Sequence, residues 1–333
     1  MHALPSTMQS NFMLMTDTDT ELAMREVPVP QPGPGQLLLR MRAAGLNRGE
    51  FVLGHGLHGP ASTWKAIGGE GAGEVVALGA GVTGFAPGDR VMGRCPGAFS
   101  EYAVMDVGEA MHIPANMDWA SAAAVPMTFH VAYDMIVVQS RLQADEWMLV
   151  NGIASGVGVA SLQIAKVLGA KVIGTSGTQA KLDVLKPLGL DVPLCTRTAD
   201  FAPRVMEITG GKGVQMVVNA VGGSVFAEDV RCMAFQGRFA MVGYVDGVLN
   251  ANIDLEALHA RRLRFYGVSN KMRTKEQRAA AVPAFIQDIV PHLASGRIQP
   301  LLDKTYAFDQ LAQAKARMEA DVHAGKIVLT IGS

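Results

Sequence analysis

The chain has few of the residues on which several classes of protein depend. Only three of its 333 residues are cysteines, Cys95, Cys195 and Cys232, and they stand far apart with no Cys-x-x-Cys pair. Neither a disulfide framework nor a thiolate zinc site is therefore indicated. Charged residues make up 18% of the chain, and the formal net charge is −1. This balance gives no basic field for nucleic acid or for an anionic membrane surface.

Export and membrane signals are also missing from the sequence. The N-terminal stretch has no basic residue before Arg25, and threonine and aspartate interrupt its short apolar runs. It fits neither a secretory signal nor an arginine-rich transit peptide. No apolar run approaches the roughly 18 residues that a membrane-spanning helix needs. We therefore expect a cytoplasmic protein.

The remaining composition is that of a large folded protein with two domains. Hydrophobic residues make up 49% of the 333 residues, enough for a sizeable core. We expect a loose extension over about the first ten residues. Short apolar runs then alternate with proline and glycine up to Val104, which predicts an antiparallel, barrel-like β domain. Strands next alternate with helices up to about Val268, which predicts a parallel sheet.

The chain returns to the β pattern near its end. A helical stretch from Glu276 to Leu293 and a helix from Asp309 to about Ala320 precede a predicted final strand, Lys326 to Ile331. We expect this last part to fold back onto the first domain. The predicted class is α/β, with a discontinuous β domain over residues 1–125 and 272–333 and a parallel-sheet domain over residues 126–271.

The most informative stretch lies at the centre of the chain. The apolar run from Trp147 to Val150 predicts a buried strand, and a helical period of apolar residues then continues until Gly169. A second apolar run, Lys171 to Gly174, predicts another strand. Together these segments predict a β-α-β unit.

The turn that opens this helix contains the sequence Ser155, Gly156, Val157, Gly158, and small Ser161 follows three residues later. Such spacing suits a tight turn, a backbone that a pyrophosphate can approach, and close packing of helix on strand. The helix N-terminus adds unpaired N–H groups and a partial positive charge. We therefore predict a dinucleotide site. The alternative is a glycine-rich turn without a ligand.

Two further glycines follow predicted strands of the same domain. Gly222 follows the run Gln215 to Val221, and Gly243 follows the run Gly237 to Val242. Ligands bind at the carboxyl ends of strands in open parallel sheets, so both glycines are predicted to line the cofactor site. The alternative is that each glycine only ends its strand.

The end of the second strand indicates which dinucleotide is bound. Sites for NAD usually have Asp or Glu about twenty residues after the first glycine, to hold the ribose hydroxyls. This chain has Thr175 and Ser176 there, so no carboxylate would repel a 2′-phosphate. Lys181 follows as a possible cation for that phosphate, although it could equally be a solvated helix lysine. We predict NADPH as the cofactor.

Taken together, the motifs resemble those of the medium-chain dehydrogenase/reductase superfamily, in particular its zinc-free quinone oxidoreductase and enoyl reductase branch, which includes zeta-crystallin. The resemblance covers nearly the whole chain after the first dozen residues. Besides the glycine turn, it rests on the motifs Gly45-Leu-Asn-Arg-Gly-Glu, Gly68-Gly-Glu-Gly-Ala-Gly-Glu-Val, Phe85-Ala-Pro-Gly-Asp-Arg-Val, Gly97-Ala-Phe-Ser-Glu-Tyr-Ala-Val, Gly213-Val-Gln-Met-Val-Val-Asn-Ala-Val-Gly-Gly and Gly325-Lys-Ile-Val-Leu.

The resemblance implies a GroES-like, β-barrel-type catalytic domain and a doubly wound Rossmann domain, with the nicotinamide in the cleft between them. It also implies a homodimer formed by edge strands, for which we expect the segment Leu263 to Val268. Thr128 matches a cofactor-contacting threonine of the family. Arg197 follows the position where many NADPH-dependent relatives have a tyrosine. Its positive charge is predicted to bind the 2′-phosphate in place of that tyrosine.

Comparison with the zinc-dependent members argues against a metal. Those enzymes have Cys where this chain has Asn47, and His where it has Gly69. We therefore predict no metal, and polarisation of an alcohol by a Lewis acid is poorly supported. A quinone or an α,β-unsaturated carbonyl compound is already an electrophile, and the family includes reductases of both. We expect reduction of such a substrate by NADPH.

Two residues are predicted to take part in the chemistry. Asn47 matches the family asparagine that helps to hold the nicotinamide or the substrate carbonyl, and its alternative is a turn cap. His58 replaces a tyrosine found in many quinone reductases, and its pKa near neutrality would suit proton donation. His55 in the same loop and solvent remain alternative proton sources. Two other functions also stay open, a zinc-independent carbonyl or alcohol dehydrogenase and a cofactor-binding crystallin-like protein without activity.

Overall fold

The computed structural model describes residues 4–15, 20–51, 63–270 and 272–332. The strands in these residues are β1 (Thr7–Met15), β2 (Thr20–Pro28), β3 (Gln36–Gly45), β4 (Lys65–Ala66), β5 (Glu70–Leu78), β6 (Arg90–Arg94), β7 (Tyr102–Asp106), β8 (Ala110–His112), β9 (Trp147–Asn151), β10 (Lys171–Ser176), β11 (Val192–Cys195), β12 (Val214–Asn219), β13 (Met233–Met241), β14 (Arg264–Gly267), β15 (Leu302–Ala307) and β16 (Lys326–Thr330). The α-helices are α1 (Trp119–Ala123), α2 (Pro126–Tyr133), α3 (Gly156–Val167), α4 (Gln179–Asp183), α5 (Ala202–Ile208), α6 (Phe226–Cys232), α7 (Leu255–Ala260), α8 (Lys275–Ala279), α9 (Val282–Asp288), α10 (Val290–Ala294) and α11 (Leu311–Glu319).

The chain divides into two compact units. The first, here called the β unit, comprises Met1–Met127, Lys271–Gly296 and Pro300–Ser333. The second, here called the parallel-sheet unit, comprises Thr128–Asn270 and Arg297–Gln299.

The β unit is built around β3, whose apolar residues fill its core. This strand pairs antiparallel with β5, β7 and β16 in a seven-stranded sheet of order β15-β16-β3-β5-β6-β8, with β7 joined to β3. Leu37, Leu38 and Leu39 are fully buried. Because β16 pairs with β3 through Val328 and Gly45, the expected return of the chain end to the first domain is confirmed.

The expected loose extension at the start of the chain is wrong from Thr7 onwards. Residues Thr7–Met15 form β1, which pairs antiparallel with β2 along its whole length and with β4 in a second, three-stranded sheet. Met8 and Ser10 are buried, and the Ser10 hydroxyl lies 2.7 Å from that of Ser100. Pairing with β2 and β4 therefore holds this segment in a strand, although its pattern of buried residues is irregular.

The parallel-sheet unit has a six-stranded sheet of order β11-β10-β9-β12-β13-β14, and every pair is parallel. This is the doubly wound order in which the first strand lies beside the point where the order reverses. The predicted β-α-β unit is confirmed as β9, α3 and β10, and the expected α/β class is confirmed with it. Met148, Leu149 and Val150 are fully buried, as expected for a central parallel strand.

The helical stretch expected from Glu276 to Leu293 is divided into α8, α9 and α10. Pro283 and Pro291 lie in the first turns of α9 and α10, at the points where the longer helix is interrupted. Proline lacks the backbone N–H that a continuous helix would need at these positions, so each proline begins a new helix.

Candidate active site

The glycine turn of the parallel-sheet unit has the geometry that an approaching phosphate needs. Ser155 caps α3, because its Oγ accepts a hydrogen bond of 3.1 Å from the Gly158 N–H. A Cβ built on Gly158 would lie 2.5 Å from the carbonyl oxygen of Ile153 and 2.6 Å from that of Gly152. Only glycine fits there, so α3 starts close against the turn. Its other first-turn N–H groups, including those of Gly156 and Val157, are available to an anion.

A buried polar network lies at the carboxyl ends of β9, β10 and β12. The Thr175 Oγ1 donates to Asn151 Oδ1 at 2.8 Å, and Asn151 Nδ2 donates to Asp229. Asn219 Nδ2 donates to the other carboxylate oxygen of Asp229 at 2.9 Å. Asp229 is fully buried, and this burial raises the pKa of its carboxyl well above the usual range. The network ties three strand ends together.

The network also shapes the turn after β12. Asn219 Oδ1 accepts hydrogen bonds from the N–H groups of Val221 and Gly222, and Nδ2 donates to the Gly222 carbonyl. Gly222 has a φ of 131°, and a Cβ on it would clash with the carboxylate of Asp246. The Gly243 N–H donates to the Asn219 carbonyl at 3.3 Å. Both predicted strand-end glycines therefore lie at the same edge of the sheet.

The residues predicted to select NADPH lie where β10 ends. Thr175 is buried with its hydroxyl directed at Asn151, whereas Ser176 is only half-buried. A Cβ built on Gly177 would lie 3.1 Å from Cζ of Arg197, so this guanidinium lies against the turn that follows β10. Lys181 lies on α4, which begins at Gln179 just beyond that turn. The structure thus brings Arg197 to the end of the second strand.

A second polar cluster lies in the β unit and joins the two ends of the chain. The Lys326 ammonium donates to Glu70 Oε1 at 2.6 Å, to Asn47 Oδ1 at 2.9 Å and to the Leu46 carbonyl at 2.7 Å. Asn47 Nδ2 donates to Glu70 Oε1 at 2.9 Å, and the Met127 N–H donates to Glu70 Oε2 at 2.7 Å. All three ammonium protons and both carboxylate oxygens have partners, as a buried ion pair requires.

Glu50 lies beside this ion pair with one carboxylate oxygen unpartnered. Its Oε2 accepts a hydrogen bond of 3.2 Å from the Asn47 N–H, whereas Oε1 is buried and has no hydrogen-bond partner among the described residues. A Cβ built on Gly69 would lie 2.7 Å from this Oε1. Burial raises the pKa of Glu50 from 4.5 to about 7, against the opposing attraction of Lys326. The cluster thus contains a carboxyl group that changes charge near neutral pH.

The predicted site residues of the first part of the chain differ in what the structure shows of them. Asn47 belongs to the cluster in the β unit, and its side-chain amide contacts Lys326, Glu70 and the Met127 sulfur. Thr128 is buried in α2. His58 and His55 lie outside the described residues.

Sequence reasoning did not assign a role to Glu70, Lys326, Glu50 or Asp229. A usable signal was present, because Glu70 and Lys326 are charged residues at the start of strands that are mostly apolar. A charge buried in such a strand needs a partner of opposite sign.

The described residues contain neither a metal-binding cluster nor a membrane-spanning helix. Over the ranges 4–15, 20–51, 63–270 and 272–332, no group of three or more His, Cys, Asp or Glu side chains is arranged to hold a metal ion. In the same part of the chain, every helix is too short or too polar to cross a membrane.

Two family models match the chain. The alcohol dehydrogenase GroES-like domain matches residues 33–115, and the zinc-binding dehydrogenase domain matches residues 156–286. The sheet of the β unit is thus GroES-like, and the parallel sheet is of the Rossmann type.

Curated relatives include large polyketide synthases. A phenolphthiocerol/phthiocerol polyketide synthase of Mycobacterium tuberculosis is 32% identical over 297 residues, which are 89% of this chain and 14% of that protein. The spectinabilin polyketide synthase system protein NorB of Streptomyces orinoci is 34% identical over 298 residues, 89% of this chain and 13% of that protein. The chain therefore spans only a small part of the length of these relatives.

Solved structures resemble the chain over nearly its whole length. Mycobacterial Rv1454c, solved in complex with NADPH, has a TM-score of 0.84 and 28% identity, covering 97% of this chain and 99% of that chain. The CurK enoyl reductase has a TM-score of 0.85 and 23% identity, covering 98% of this chain and 100% of that chain, and it supports the fold alone.

Proposed function

The chain belongs to the medium-chain dehydrogenase/reductase superfamily of oxidoreductases, and on this basis we propose that it reduces α,β-unsaturated carbonyl compounds or quinones with NADPH and without zinc. The cofactor would supply a hydride to the electrophilic carbon of the substrate. The residues of the chain would bind and orient both molecules and would exclude water.

The observation that carries this proposal is the polar cluster of the β unit. Zinc-dependent members have ligands at the positions of Asn47 and Gly69, and in this chain neither residue offers a thiolate or an imidazole. Glu50 Oε1 lies 2.7 Å from the position that a Cβ on Gly69 would take, and the charge of Glu70 is balanced by Lys326. The Lys326 ammonium thus contacts Asn47, one of the two residues that replace a zinc ligand in this chain. This arrangement favours substrates that are electrophilic without a Lewis acid.

The parallel-sheet unit fits a dinucleotide phosphate. The N–H groups of Gly156 and Val157 would hold the pyrophosphate at the start of α3, which lies close against the preceding turn because Gly158 has no Cβ. Ser176, Lys181 and Arg197 would hold the 2′-phosphate beyond β10, where a guanidinium can bind phosphate in a bidentate manner.

Thr128, Thr175, Gly222 and Gly243 remain predicted cofactor contacts. The buried hydroxyl of Thr175 suits a supporting role behind the cofactor better than a contact with it. A structural relative of 28% identity, mycobacterial Rv1454c, was solved with NADPH, which supports the choice of cofactor.

The chemistry and the relatives support one of the two substrate classes over the other. Polyketide synthases are named among the sequence relatives, and the CurK enoyl reductase shares the fold. We therefore rank an α,β-unsaturated carbonyl compound or thioester above a quinone. Both classes accept hydride and then need only a proton.

A homodimer in the cytoplasm is part of the same proposal. β14 is the last strand of its sheet and pairs only with β13 among the described strands, so its outer edge is open to a second copy. This segment agrees with the predicted Leu263 to Val268. Light scattering on purified protein gives the mass directly, and a monomer would contradict this part of the proposal.

The decisive experiment follows the loss of nicotinamide absorbance with NADPH and then NADH against a simple enone, crotonyl-CoA, 1,4-benzoquinone and 9,10-phenanthrenequinone. We expect turnover with NADPH and a clear preference over NADH. Replacing Arg197 by Ala should weaken NADPH binding about 10- to 100-fold, because one charge-assisted hydrogen bond contributes about that much to affinity. The affinity for NADH should not change. Arg204→Ala, which removes an exposed arginine paired with Glu207 on α5, is the matched control. Binding without turnover of any compound would contradict the reductase proposal.

A further inference from the structure

Glu50 is a buried carboxyl group beside the Lys326–Glu70 ion pair of the polar cluster. The chemistry proposed above assigns it no role. We propose that Glu50 holds the proton that completes the reduction and delivers it to the substrate beside Asn47 and Gly69. This inference rests on the proposed function.

The position of the carboxyl group supports this role. Its Oε2 is anchored by the Asn47 N–H, so a proton held by the group belongs on Oε1. Oε1 lies 2.7 Å from the place where a Cβ on Gly69 would be, and Gly69 and Asn47 are both half-exposed. Because glycine has no side chain, Gly69 places only backbone atoms beside this oxygen. A short movement of Glu50 past Gly69 would bring the acid proton to a bound substrate.

Burial raises the pKa of Glu50 and lets it hold a proton at neutral pH, and the charges that face it do not reverse this effect. Among the described residues these charges are Lys326 on β16 and Glu70 on β5, which form an ion pair with each other. The three protons of the Lys326 ammonium are donated to Glu70, Asn47 and the Leu46 carbonyl, so none is left for Glu50. An ionised Glu50 would add a second buried carboxylate beside one ammonium. Burial, together with this smaller repulsion from Glu70, therefore raises the pKa of Glu50 to about 7 against the attraction of Lys326.

The proposed step balances in atoms and charge. Hydride addition at the β-carbon of an enone moves the electrons of the double bond towards the carbonyl and leaves an enolate. The O–H bond of Glu50 then breaks, its proton forms the new C–H bond at the α-carbon, and the electron pair stays on Oε1. The nearby Lys326 ammonium stabilises the carboxylate so formed, until water returns a proton to it. With a quinone, the proton would go to the phenolate oxygen.

The test compares the pH dependence of kcat/KM in four proteins. The wild type should be fully active below about pH 7 and should lose activity about tenfold per pH unit above it, because Glu50 must be protonated. Glu50→Gln should lose activity about 100-fold or more and should lose this descending limb. Glu50→Asp keeps a carboxyl group and should restore part of the rate together with a descending limb. Glu74→Gln, which removes a carboxylate of β5 paired with Arg42, should resemble the wild type.

A second measurement does not depend on turnover. Infrared difference spectra should show the C=O band of a protonated carboxyl that disappears as the pH is raised through about 7, and this band should be absent from Glu50→Gln. Unchanged NADPH binding by the variant shows that it is folded.

If the wild type is active while Glu50→Gln keeps its rate and its descending limb, solvent or another group supplies the proton and the Glu50 assignment is overturned. If the wild type reduces none of the compounds, the proposed function itself fails. A missing titrating band overturns the assignment in either case.

Discussion

Replacement of Glu50 by Gln should change how the stability of the protein depends on pH. The pKa of Glu50 is about 7 in the folded protein, against an ordinary value of 4.5, because the group is buried; its Oε1 has no hydrogen-bond partner among the described residues. The folded state therefore binds this proton more tightly than the unfolded state does. The proton bound by Glu50 thus contributes to the free energy of unfolding. This contribution is complete below about pH 4.5 and is lost as the pH rises to about 7. At about 1.4 kcal/mol per pKa unit, the loss amounts to about 3 kcal/mol.

Glutamine at position 50 keeps the acceptor for the Asn47 N–H and carries no charge at any pH. The free energy of unfolding of the variant, relative to the wild type, should thus rise by about 3 kcal/mol between about pH 4.5 and about pH 8. Urea unfolding at a series of pH values, followed by tryptophan fluorescence, measures this difference. Parallel stability curves for the two proteins would refute the reasoning, since they would show that Glu50 ionises alike in both states.

Two further substitutions test the ion pair and the glycine turn. Lys326→Met leaves the buried Glu70 charge without its cation and should lower the free energy of unfolding, measured by urea unfolding, by about 3–5 kcal/mol. Adding Glu70→Gln to this variant should recover part of the lost free energy of unfolding. A loss below about 1 kcal/mol would contradict a buried ion pair. Gly158→Ala places a Cβ 2.5 Å from the Ile153 carbonyl oxygen, so NADPH binding, measured by nicotinamide fluorescence, should weaken at least tenfold. Gly267→Ala adds a Cβ with no atom within 4 Å and should bind NADPH like the wild type, and equal binding by both variants would argue against the predicted turn.

The parts of the fold that sequence predicts well are those determined by local patterns. The β-α-β unit is visible because an apolar run, a glycine turn and a helical period follow one another within residues 147–176. The helical stretch after Glu276 was predicted without its breaks, although Pro283 and Pro291 were the local signal for them. The first strand was missed because Thr7–Met15 depends on pairing with β2 and β4, and short polar and apolar residues alternate in it only weakly.

The candidate site was harder to predict, because its residues are far apart in the chain. Asn47 and Glu70 are 23 residues apart, and Lys326 is 256 residues from Glu70. No local period links them, so the resemblance pointed to Asn47 but gave no reason to connect it with Lys326. The Asp229 network was missed for the same reason, since Asn151 and Asp229 are 78 residues apart. His58 stays a prediction, as do the remaining cofactor contacts.

The link between Lys326 and the first part of the chain has a consequence for biosynthesis. The ribosome completes Asn47 and Glu70 long before β16, and the whole parallel-sheet unit emerges in between, with its six strands drawn from one largely continuous stretch. That unit can fold as soon as it is released, because domains fold as units during synthesis. The β unit must wait for its last strand, and until then the Glu70 carboxylate has no cation. The nascent chain is therefore expected to carry a folded parallel-sheet unit before its β unit is complete.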